Sequence, residues 1–123
     1  MVKVLIVDDD ELFRTMLEEM LRRDGYQVTV AGNGAEALVA IARDRPQLLI
    51  TDILMPEKDG IELIMELAQG GDQIPIIAVS GGRRAISLEF NLESARLMGV
   101  QATLPKPFTR EALRAVIARV LGD

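Results

Sequence analysis

Two hydrophobic rhythms alternate along the chain. Val2 to Val7, Tyr26 to Ala31, Gln47 to Thr51, Ile74 to Ser80 and Gln101 to Leu104 form short β-rich runs. They are more often continuously apolar than alternating, which is the pattern of parallel strands covered on both faces. Longer stretches with apolar residues at helical spacing lie between them. Leu12, Met16, Leu17, Met20 and Leu21 share one face of a helix over Glu11 to Arg23, with Gly25 as its stop. "NGAE" opens a second helix, where Asn33 caps and Glu36 reaches back as in a capping box. "DGIE" repeats the device at Asp59 and Glu62 for a third. The last helix begins at Thr109, aligns Leu113, Val116, Ile117, Val120 and Leu121, and runs almost to the C-terminus.

Five βα units in this length predict right-handed crossovers and helices on both sides of a parallel sheet. The expected fold is therefore a three-layer, doubly wound α/β domain, Rossmann-like or flavodoxin-like. Such sheets bind ligands beyond the carboxyl ends of their strands, so the residues that end the strands carry the functional argument.

Those residues are chemically coherent. Asp8 and Asp9 end the first run, Asp52 the third and Ser80 the fourth, and Lys106 follows the fifth in "LPKPF". Two carboxylates about 4 Å apart repel by about 4 kcal/mol at an effective dielectric near 20, so a cluster of them calls for a cation. An all-oxygen set of a few carboxylates with water suits Mg²⁺ better than a calcium cage. Lys106 and Ser80 then offer a point charge and a donor to an additional anion such as a phosphoryl group. The competing reading gives Asp8, Asp9, Asp10 and Glu11 no role beyond a helix start, where acids complement the dipole.

Composition narrows the chemistry further. With 123 residues, 49% of them hydrophobic and 27% charged, one soluble domain is the expectation. There is no cysteine and no histidine, which removes disulfides, thiolate catalysis, Cys or His metal sites and the commonest general base. A net charge of −5 argues against nucleic acid as a partner, since such binding draws on a basic face. "MVKVLIV" is too short for a signal peptide and no run approaches a membrane span, so a cytoplasmic protein with no membrane partner is expected.

In their order and at their strand ends, "VLIVDDD", "LLITDILMPEKDG", "IIAVSGG" and "LPKPF" resemble the receiver domain of two-component response regulators. The resemblance covers essentially all of residues 1–123. It implies a flavodoxin-like sheet with strand order 2-1-3-4-5 and five helices. It also implies that Asp52 is the phosphoacceptor, taking a phosphoryl group from the phosphohistidine of a histidine kinase or phosphotransfer protein. Asp9 and Asp52 would hold Mg²⁺ directly with the backbone carbonyl of Leu54, and Asp8 through water. Ser80 would bond a phosphoryl oxygen, Lys106 would pair with the phosphoryl charge, and amides near Ile53, Leu54 and Gly81 would add donors. The Lys106–Pro107 bond is expected to be cis. The domain would be no enzyme beyond catalysing its own phosphorylation and slow dephosphorylation. Because the last helix ends two residues before the terminus, a stand-alone receiver without an output domain is expected, acting on an unknown protein target.

Three positions depart from the common pattern of that family. Thr103 stands where many members carry Tyr or Phe. The stretch from Ser80 to Lys106 is longer than usual by roughly one helical turn. Within it, Leu88, Leu92 and Ala95 form one helical stripe and Ile86, Phe90 and Leu97 another, nearly opposite. One stripe would pack on the sheet and the other would meet a partner or a second copy, a homodimer through the face of the fourth and fifth helices. Leu54 and Gly82, two residues beyond Asp52 and Ser80, cannot orient a water with their side chains, which predicts slow self-dephosphorylation. Two alternatives compete. One is a receiver-like interaction module that is never phosphorylated. The other is a haloacid-dehalogenase-type phosphatase, suggested by "DDDEL" but opposed by Leu12 where that family has Thr or Val.

Overall fold

The structure, a computed structural model, describes residues 1–53, 60–71, 73–80 and 99–122, with the backbone only of Ser80. Five strands form one sheet: β1 (Lys3–Val7), β2 (Gln27–Ala31), β3 (Leu48–Asp52), β4 (Ile76–Ser80) and β5 (Ala102–Pro105). All pair in parallel, in the order β2-β1-β3-β4-β5. Four helices lie among the described residues: α1 (Glu11–Arg23), α2 (Gly34–Arg43), α3 (Gly60–Gln69) and the C-terminal helix Arg110–Leu121. The additional helix expected between β4 and β5, with its two apolar stripes and Phe90, falls on 81–98, outside the described residues.

The continuous apolar runs are explained by two cores, one on each face of the sheet. Val4 and Ile6 of β1, with Leu48 and Ile50 of β3, meet Leu17 and Leu21 of α1 and Leu113 and Ile117 of the C-terminal helix. Their neighbours Leu5, Val7 and Leu49 point the other way, onto Ala37 of α2 and Leu63, Ile64 and Leu67 of α3. A central strand buried on both sides has no position left for an outward polar residue, so its sequence does not alternate.

Local signals end the elements. The Asp10 side chain caps α1 by accepting from the Phe13 N–H at 3.1 Å. Gly25, at φ 92°, takes the left-handed conformation past its end, and its N–H donates to the Arg22 carbonyl at 3.1 Å. Asn33 caps α2 as expected, accepting from the Glu36 N–H at 2.9 Å, while Glu36 Oε1 accepts from the Gly32 N–H at 2.9 Å. Thr109 caps the C-terminal helix through the Ala112 N–H at 3.0 Å. The expected cap Asp59 of α3 lies outside the described residues. Asp24 ties the end of α1 to the C-terminal helix, accepting from Arg110 at 2.7 Å and from Arg114 at 2.6 Å.

One face is corrected. The expected stripe on α1 included Leu12 and Met16, but these are 85% and 46% exposed. The stripe that packs is Phe13, Leu17, Met20 and Leu21. Leu17, Met20 and Leu21 are common to both; Phe13 and Leu17 each lie one residue, about 100° around the helix, from the equally apolar Leu12 and Met16. The sheet selects the one whose aromatic sits over the end of β5.

Candidate functional site: an acidic edge with one lysine

Asp8 follows β1 and keeps the side of Val4 and Ile6, and Asp52 ends β3 on the side of Leu48 and Ile50. Lys106 follows β5 on the side of Ala102 and Leu104. These side chains meet at the carboxyl edge of the sheet, beneath the first turn of α1. Lys106 Nζ lies 2.7 Å from Asp8 Oδ2 and 3.4 Å from Asp52 Oδ2. One carboxylate oxygen each from Asp8, Asp9 and Asp52 lie within 4.8 Å of one another. The Lys106–Pro107 peptide is cis.

Asp8 and Asp52 are only 1% and 7% exposed, and their surroundings fix them atom by atom. Asp8 Oδ1 accepts from the Asp10 N–H at 2.9 Å, and the Asp8 carbonyl accepts from Arg14 at 2.9 Å. Asp52 Oδ1 accepts from the Ile53 N–H at 2.8 Å, which leaves Oδ2 facing Lys106. Burial pushes the Asp52 carboxyl up from an ordinary 3.8 to about 6. The Lys106 charge opposes that rise, the Asp8 charge adds to it, and the Ile53 N–H opposes it. One ammonium is thus shared between two buried carboxylates, with the Asp9 carboxylate beside them. The set contains only oxygen donors, so it fits a hard divalent cation.

The structure thus brings together Asp8, Asp9, Asp52 and Lys106 from the expected site. Ser80 ends β4 opposite Pro105, at the same edge. Its side chain, the Leu54 carbonyl and the residues Gly81 and Gly82 lie outside the described residues. Thr103 sits within β5, opposite Ala78.

Three contributors escaped the sequence argument. Gly60, read only as part of a helix start, packs so close to β3 that a Cβ there would lie 1.9 Å from the Asp52 carbonyl oxygen. Its N–H donates to the Ile53 carbonyl at 2.8 Å, so the glycine fixes the backbone on which Asp52 stands. Arg14 holds the Asp8 carbonyl, and Phe13 lies against Lys106. The spacing of "DG" after "MP" was the available signal for Gly60; no local signal pointed to the other two.

A parallel five-stranded sheet of this order, with acids and a lysine gathered at its carboxyl edge, defines a receiver-type α/β domain. The family model of the response regulator receiver domain matches residues 4–118, and the chain belongs to that family. It is similar to response regulator MprA of Mycobacterium leprae, 38% identical over 120 residues that cover 98% of this chain and 51% of the relative. The chain spans about half the length of the curated relatives it matches. Among solved structures it resembles a putative response regulator from Chloroflexus aurantiacus, with a TM-score of 0.88, 32% identity and coverage of 99% and 98% of the two chains. It also resembles chemotaxis protein CheY4 of Vibrio cholerae, at 0.84 and 31%, over 98% of each chain. Among the described residues no helix is long and apolar enough to cross a membrane.

Proposed function

We propose that this receiver domain is a phosphoaccepting switch in which Asp52 takes a phosphoryl group from the phosphohistidine of a histidine kinase or phosphotransfer protein. The observation that carries the reading is the gathering of three carboxylates within 4.8 Å of one another, with Lys106 on Asp8 and Asp52 Oδ2 turned toward that lysine. Asp52 Oδ1 is engaged by the Ile53 N–H, so Oδ2 is the nucleophile. Its lone pair forms the bond to phosphorus as the bond from phosphorus to the imidazole nitrogen breaks, and the histidine leaves with that electron pair. No base is required, because an ionised carboxylate has no proton to lose.

Asp9 and Asp52, with the Leu54 carbonyl, would hold Mg²⁺, and Asp8 would assist through water. Bound there, the ion would neutralise charge on the phosphoryl oxygens, which is the main catalytic demand of phosphoryl transfer. Lys106 would pair with the same charge, and its contact to Asp8 keeps it in place beforehand. Ser80 supplies a hydroxyl to a phosphoryl oxygen. Leu54 and Gly82 offer no side chain to position a water, so the acyl phosphate is long-lived.

Phosphorylation acts by shifting a population between two arrangements of the surface from Ser80 to Lys106, which changes binding to a protein target. Thr103 replaces the bulky aromatic of many relatives, so the shift is read by other side chains. The domain works in the cytoplasm, without nucleic acid or membrane as its own partner, and catalyses only its own phosphorylation and slow dephosphorylation. Phosphotransfer profiling against candidate histidine kinases, with Asp52→Asn as control, tests the assignment. Labelling of wild type alone is expected, and equal labelling of the variant would refute it.

A further inference from the structure

Lys106 Nζ has a third neighbour besides the two carboxylates. The ring of Phe13 lies with its centroid 4.1 Å away. That ring stands edge-on to Phe108, with centroids 5.6 Å apart and planes at 90°. Phe13 belongs to the first turn of α1, where its N–H is donated to the capping Asp10, and Phe108 lies two residues past the lysine. Phe13 is thus in contact with both Lys106 and Phe108, on either side of Pro107 in sequence.

We propose that Phe13 is a positioning residue for Lys106, its π face holding the ammonium beside Asp8 and Asp52 so that the charge is in place when a phosphoryl group reaches Asp52. The inference rests on the phosphoacceptor reading above. A lysine stem has four flexible carbons, and its contacts to the carboxylates are the ones a divalent cation contests. An aromatic face is not an oxygen ligand, so the ring contact survives when the carboxylates turn to the ion. The Lys106 side chain is only 16% exposed, which places this contact among the partly desolvated, stronger cation–π interactions. Phe13 also packs against the core below α1, so the alternative is a purely structural side chain.

Three proteins separate the two roles: wild type, Phe13→Leu, which keeps apolar bulk without a π face, and Phe13→Tyr, which keeps both. The readouts are affinity for beryllofluoride in the presence of Mg²⁺, labelling rate with phosphoramidate, and the NMR shifts of the Lys106 ε-methylene protons without either reagent. The expected result is about five- to tenfold weaker beryllofluoride binding and slower labelling for Phe13→Leu, with Phe13→Tyr close to wild type. The ε-methylene protons should be shifted upfield by the ring in wild type and Phe13→Tyr and return to ordinary values in Phe13→Leu. A structural role would lower only the unfolding midpoint of Phe13→Leu. Unchanged anion affinity and labelling in that variant, or ordinary ε-methylene shifts in wild type, would overturn the proposal alone. A wild type that takes up neither beryllofluoride nor phosphoryl group would overturn the phosphoacceptor reading, and the positioning role with it.

Discussion

Replacing Asp52 by Asn should make the metal-free protein more stable while abolishing its proposed function. The carboxyl is raised from an ordinary 3.8 to about 6 because it is buried beside Asp8. Between those two values the folded protein holds a proton that the unfolded chain has released. Stability therefore falls as pH rises through that window, and the full cost is present above pH 6. At about 1.4 kcal/mol per pKa unit, the cost at pH 7 comes to about 3 kcal/mol. The amide introduced by Asp52→Asn carries no charge, and its oxygen can still accept from the Ile53 N–H, while Lys106 keeps Asp8. The variant should gain roughly 10 °C in unfolding midpoint at pH 7 and almost nothing at pH 4. With one Tyr and no Trp, far-UV circular dichroism in the presence of a chelator is the suitable probe. Adding Mg²⁺ should narrow the gap, since an ion that binds only the folded wild type stabilises it by mass action. Parallel pH profiles for the two proteins, or a variant no more stable than wild type at pH 7 with chelator, would refute the reasoning.

Other outcomes follow from single contacts. Gly60→Ala forces a methyl onto the Asp52 carbonyl, so it should destabilise by about 2–3 kcal/mol in urea unfolding and slow labelling of Asp52; a neutral effect on both would contradict the close approach. Hydrogen bonds from Arg114 and Arg110 hold Asp24 well below the usual carboxylate range. Asp24→Asn should therefore cost about 1–2 kcal/mol at pH 7 and low salt, a difference that begins to shrink as pH falls below about 4, is lost only in strong acid, and is smaller in high salt. Leu12 is exposed, two residues past the cap Asp10, at the edge that a phosphohistidine would approach under the proposed function. Leu12→Glu should slow transfer from a kinase at least tenfold while leaving labelling by phosphoramidate unchanged, and equal losses with both donors would remove Leu12 from the donor contact.

The sequence made the strands and their end residues legible because each is a local signal: an apolar run, then Asp8, Asp52 or Lys106 at its end. The order of the strands came through family resemblance, since no spacing states which run neighbours which. Asp10 at the head of α1 was readable for the same local reason, and the structure makes it the cap. The buried face of α1 was readable at Leu17, Met20 and Leu21 but not in its first turn. Leu12 with Met16 and Phe13 with Leu17 are equally apolar pairs at helical spacing, and only the position of β5 and Lys106 decides between them. Arg14 was missed because its contact, to the backbone of Asp8, leaves no trace in residue type, and Gly60 because its glycine also fits the helix start read from "DGIE".

The pairing of Lys106 with Asp8 joins residues 98 positions apart. β5 is joined to β1 only through β3 and β4, so the contact depends on the whole strand order β2-β1-β3-β4-β5 being in place. A fragment lacking the last strand would keep all three carboxylates and lose their counter-charge, and a version of the domain cut in the middle and rejoined by a partner would regain it. The lysine thus makes the charge balance at the end of the first strand depend on the presence of the last.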